Sequence, residues 1–138
     1  MFKQDAELTN LLNRYIHTEH QFGHNDCNIL IAEYIDLICD TKYKESLQGK
    51  YTSAKEGLSI CKELTGFKNV LEACEKHLDR SDVIENGSVI LIKKTLGKRV
   101  YYASSIVFKN KALTEHDNKY EMTDLKEINY DLIFNRRK

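Results

Sequence analysis

Ten consecutive residues constrain this chain more than any others. In Ile29-Leu30-Ile31-Ala32-Glu33-Tyr34-Ile35-Asp36-Leu37-Ile38, apolar side chains point nearly all the way round a helix. Only Glu33, Asp36 and, just beyond, Asp40 make a narrow polar stripe at i, i+3 and i+7. Such a helix, spanning about residues 26 to 39, must lie at the centre of a fold, with other elements packed around it. The chain has 138 residues, enough for one compact domain with a real core and no need of staples. We therefore expect a single domain over 1–138.

The central helix is entered from a polar loop, Phe22-Gly23-His24-Asn25-Asp26-Cys27-Asn28. Asn25 or Asp26 can cap its first turn, which places Cys27 among unpaired backbone N–H groups where the helix dipole favours a negative thiolate. A cysteine so placed is either an activated nucleophile or an inert small hydrophobe at the end of a buried helix. The other thiols, Cys39, Cys61 and Cys74, fall at irregular spacings with no CxxC pair. That argues for free thiols rather than a zinc site or a disulfide framework.

Around this helix the pattern divides in two. Leu8, Leu11, Leu12, Tyr15 and Ile16 predict an amphipathic helix over about residues 5 to 20, broken by Gly23. Ser53 with Glu56 three places on predicts a capped helix over about 53 to 64, and Val70, Leu71, Cys74 and Leu78 mark another over about 68 to 79. After residue 80 the pattern becomes β. Residues 88–92 and 100–108 read as a hairpin turning near Gly97, with further strands at 119–122 and 128–134. Helices first and an antiparallel sheet afterwards define an α+β class.

The residues now described resemble a known family, the NlpC-type cell-wall peptidases of the papain-like cysteine peptidase clan, and within it small phage-encoded members. The resemblance is carried by Phe22, Gly23, Asp26 and Cys27 before the buried helix, by Gly49 and Tyr51 after it, and by Gly87, Val89, Ile90 and Leu91 where the sheet opens. It covers about residues 8 to 134. It implies a papain-like domain, a Cys27 nucleophile, a histidine base from the second sheet strand and peptidoglycan cross-links as substrate. The chain departs from that pattern at the base: the clan's strand histidine would fall near Ala103-Ser104, and no histidine lies between His77 and His116. The motif's tryptophan is absent, and Ser88 stands where the family has aspartate.

Without an adjacent base a thiol is only a few per cent ionised at neutral pH. His24 and His116 are the substitute bases available, and Asp26 serves as the helix cap. His17, His20, His24, Asp26 and Cys27 fall within eleven residues, yet match no familiar zinc spacing and read as polar residues at an exposed helix end. No metal or cofactor is expected.

Charge and hydropathy narrow the partners. With 21 basic against 21 acidic residues, and lysines and tyrosines not gathered into one basic run, nucleic acid is discounted. The first twenty residues carry charges throughout and no apolar run long enough for a signal peptide or membrane span. What the resemblance implies, with the Asp-Cys helix start kept and the strand histidine missing, is an accessory or structural protein of a phage virion or tail, made in the host cytoplasm and contacting other virion proteins. The alternatives are an active thiol hydrolase cleaving peptidoglycan peptides, and a small intracellular protein directed at a host factor.

Overall fold

The computed structural model describes residues 2–137, and for residues 2, 3, 54, 96 and 116 the backbone alone. Five helices come first: α1 (Phe2–Tyr15), α2 (Cys27–Cys39), α3 (Tyr43–Leu47), α4 (Ala54–Thr65) and α5 (Val70–His77). Six strands follow: β1 (Asp79–Ser81), β2 (Val89–Leu96), β3 (Arg99–Phe108), β4 (Lys111–His116), β5 (Lys119–Asp124) and β6 (Leu132–Asn135). They form one sheet in the order β1-β6-β2-β3-β4-β5, in which neighbouring strands pair antiparallel. The α+β class is as the sequence pattern required.

α2 is central for the reason its sequence gives. Ile29, Leu30, Ile31, Ala32, Tyr34 and Ile35 are all buried. Leu30, Ile31, Tyr34 and Ile35 meet Leu8, Leu11, Leu12 and Tyr15 of α1, and Val89, Leu91, Ile106 and Phe134 from one sheet face, in a single core. Its polar stripe is satisfied locally. Glu33 accepts from the Tyr15 hydroxyl at 2.9 Å and pairs with Lys44 at 2.9 Å and with Arg14. The Asp36 carboxylate accepts the Tyr43 and Lys44 N–H groups at 2.8 and 3.0 Å, tying α3 to α2. The opposite sheet face buries Ile90, Val107 and Ala112 beneath Ile84, Leu125, Ile128, Tyr130 and Ile133.

Three departures from the sequence pattern have physical causes. The helix expected to run to residue 20 ends at Tyr15, because Thr18 Oγ1 donates to the Tyr15 carbonyl at 2.6 Å and His17 takes φ +67°. Residues 17–20 then lie along β5: Tyr120 accepts from His17 N–H at 2.6 Å and donates to Thr18 O at 3.0 Å. The strand expected at 128–134 is confined to Leu132–Asn135. Ile128 and Tyr130 alternate because they cover the sheet from a loop. β4 was not foreseen, and its two bounding turns, Lys109-Asn110 and Asp117-Asn118, all have positive φ without any glycine.

Candidate functional site

Asp26 caps α2 and organises everything around Cys27. The carboxylate is 2 % exposed. Its Oδ1 accepts the Ile29 N–H at 3.0 Å and the Tyr51 hydroxyl at 2.8 Å, and its Oδ2 accepts the Gly23 N–H at 2.7 Å. Three donors on one buried carboxylate fix the entry to the helix. Gly23 sits at φ +83°, donates from its own N–H to Asp26, and accepts the Gly49 N–H at 2.7 Å. A Cβ at Gly23 would overlap the Tyr51 carbonyl oxygen, so only glycine fits. The scattered residues Gly23, Asp26, Gly49 and Tyr51 are therefore one interlocked unit. Burial first, and then Asp26, push ionisation of the Tyr51 hydroxyl up, which keeps it a donor.

Cys27 opens α2 as expected, and its residue keeps partial exposure in a cleft walled by Phe22, Asn28, Leu58, Val70, Tyr101 and Tyr102. Its chemistry is the reverse of what a helix N-terminus alone would give. Burial of the sulfur pushes the thiol up to about 11, against the lowering effect of backbone N–H groups from Ser104 and from Cys27 itself, with Asp26 and Glu115 adding to the rise. Desolvation outweighs the dipole here, because a buried thiolate is penalised more than a few aligned N–H groups repay.

β3 passes directly across this thiol. Ser104 lies 6 % exposed; its N–H faces the sulfur, and its Oγ donates to the Cys27 carbonyl at 3.1 Å. The strand position nearest the thiol is thus a serine already committed to the backbone. His24 is exposed in the loop, and its carbonyl accepts from Gln48 at 3.3 Å; it does not line the cleft. His116 closes β4 opposite Lys119, and its side chain lies outside the described residues. His20, not singled out from the sequence as a base, stacks edge-on against Phe22 with ring centroids 4.7 Å apart. Among the described residues no group of three or more His, Cys, Asp or Glu is placed to hold a metal ion.

Tyr120 lies on β5, close to the turn that residues 17–20 pair with. Its ring is in the core, but its hydroxyl is, among the described residues, the buried side-chain polar atom left without a hydrogen-bond partner. Burial pushes its ionisation up, and Cys27 and Asp26 add to the rise. A buried hydroxyl without a partner is a local cost, set against the packing of its ring in the core, where it meets Tyr15 edge-on at 5.7 Å between centroids and His20 at 6.0 Å. No helix among the described residues is long and apolar enough to cross a membrane.

The family model described as a domain of unknown function (DUF6950) matches residues 2–130. No curated protein and no solved structure matches the chain.

Proposed function

We propose that this chain, which belongs to the DUF6950 family of domains of unknown function, is a catalytically silent relative of papain-like cell-wall peptidases that serves as an accessory or structural protein of a phage virion or tail. One observation carries the loss of catalysis: the strand residue set against the Cys27 sulfur is Ser104, spent on the Cys27 carbonyl, and the thiol is held at about 11. Nucleophilic cysteine chemistry needs a thiolate and a base within hydrogen-bond reach. None of the residues walling the cleft is a histidine. The papain-like descent is supported by the way Gly23, Asp26, Gly49 and Tyr51, which carry the resemblance, close into one unit at the head of the cysteine helix. The virion setting rests on that resemblance, and fold descent by itself does not fix a role.

Two measurements test this reading. Incubated with purified peptidoglycan, the protein should release no peptide above background, and Cys27→Ala should behave identically. Hydrolysis that disappears in Cys27→Ala would restore the thiol hydrolase alternative. Mass spectrometry of purified particles from infected cells should detect the chain at a fixed stoichiometry; a chain found only in the host lysate, bound to a host protein, would replace the virion role with the host-factor one.

A further inference from the structure

The sheet is not continuous from end to end. β6 pairs with β2 only at Val89, Ile90 and Leu91, and β4 pairs with β3 only at Val107 and Phe108. β2 and β3 pair with each other along their whole length, from Val89–Ile106 to Leu96–Arg99. Their far halves therefore project as a two-stranded arm, closed by a two-residue turn with Gly97 at φ +63°. On the β2 side the arm is partly sealed: the Asp131 carboxylate accepts the Lys93 N–H at 2.8 Å. On the β3 side no strand of the described residues lies beside Arg99 to Ala103.

The direction of that open edge can be worked out. In an antiparallel ladder successive residues point their N–H and C=O groups alternately toward and away from the partner. Val107 points toward β2, donating to Ser88 O at 2.8 Å, whereas Ser104 points its N–H away, at Cys27. Val100 and Tyr102 share the parity of Ser104, so their backbone groups face outward, continuing the line that ends at the Cys27 cleft. Val100 is 42 % exposed, and Tyr102 walls the cleft.

The arm is also where positive charge collects. Lys93, Lys94, Lys98 and Arg99 are all exposed, and among the described residues none of them takes part in an ion pair. From Asn86 to Thr114 the sequence has no acidic residue. A chain of zero net charge thus presents a cationic tip on an open strand edge.

We propose that the outer edge of β3, from Arg99 to Tyr102, binds an extended acidic segment of a partner protein by strand addition, with the segment's apolar side chains reaching the Cys27 cleft. This names the partner chemistry for the accessory role and rests on that reading. An added strand would lie about 4.8 Å from β3 and about twice that from Lys93 and Lys94 on β2, within roughly one Debye length of their charges. Unpaired main-chain groups beside an apolar cleft suit a polypeptide better than a phosphate backbone, which needs charge alone. Two copies of this edge would bring like charges together, which disfavours self-pairing. Lysines on a free edge also serve to prevent unwanted strand pairing, so the test must separate docking from guarding.

A random dodecapeptide display library is selected on the immobilised full chain, and enriched peptides are remade and titrated by fluorescence anisotropy. The expected peptides alternate acidic with β-branched residues and bind at least tenfold more weakly to Lys98→Glu/Arg99→Glu and to Lys93→Gln/Lys94→Gln. On binding, the Val100 and Tyr102 amides should gain protection from hydrogen exchange. No enrichment, peptides without acidic residues, equal binding by both variants, unprotected amides, or tighter binding of a DNA oligonucleotide would each overturn the proposal; so would concentration-dependent dimerisation that protects the same amides. Peptide release from peptidoglycan would overturn the silent-enzyme reading alone and leave this result standing.

Discussion

Asp26 matters more to this molecule than the cysteine beside it. Its carboxylate is out of water and accepts three hydrogen bonds, from Ile29, Tyr51 and Gly23. Asp26→Ala should therefore cost about 3–5 kcal/mol, since it removes a helix cap and strands a buried hydroxyl. Asp26→Asn keeps an acceptor oxygen and should cost less, and urea midpoints of the two variants measure the difference. Gly23→Ala should be worse than either, because the new methyl meets the Tyr51 carbonyl and the backbone is left-handed. At Cys27 the sequence disclosed the position but not the chemistry. An Asp-Cys before an apolar run locates a thiol at a helix start; the burial that raises its pKa belongs to the tertiary fold, in which even the strand lying across it, β3, comes more than seventy residues along the chain. Site-resolved alkylation should show Cys27 titrating near 11, two units or so above an ordinary thiol.

At the scale of elements, legibility followed turn chemistry. The β2–β3 hairpin was readable because Gly97 marks its turn. β4 was not, because Lys109-Asn110 and Asp117-Asn118 adopt positive φ at both positions without a glycine to announce it. Asparagine tolerates that conformation, but at a cost that glycine lacks. An alanine lacks that tolerance, so Asn118→Ala should cost roughly 1–2 kcal/mol, read as a lower urea midpoint with an unchanged slope. α1 shows the opposite error. Its apolar spacing continues through Ile16, but periodicity is blind to the Thr18 hydroxyl that ends the helix and to the strand contact beyond it. α2, by contrast, was legible almost residue by residue, since an apolar run of that length with a polar stripe at i, i+3 and i+7 fits a buried helix and is too long for a buried strand.

For the whole molecule, the balance of acids and bases conceals how unevenly they are placed, and the fold turns that unevenness into a cationic arm. The same scale governs the response to alkali. Cys27 is pushed to about 11, Cys61, Cys74 and Tyr34 to about 12, in each case chiefly by burial. A group whose folded value is raised stays protonated where the unfolded chain has already lost its proton. The stability it contributes is complete below the unfolded value, near 9 for the thiols, and drains away as pH climbs through 11 to 12. Stability should therefore be flat to about pH 9 and fall steeply above it, which circular dichroism in urea at successive pH values would follow; a decline already complete by pH 8 would contradict the burial of these groups.

The pairing of residues 17–20 with β5, and of β1 with β6, has a consequence for how the chain reaches this state. Both join residues far apart in the chain: His17 to Tyr120 and Asp79 to Asn135. Contacts that close loops of such length are slow to form, because chain entropy must be given up before they return any binding. During synthesis the apolar face of α2 has no sheet to cover it until the strands have been made, so for that interval the nascent chain is a client for whatever holds exposed hydrophobic helices apart in the cell.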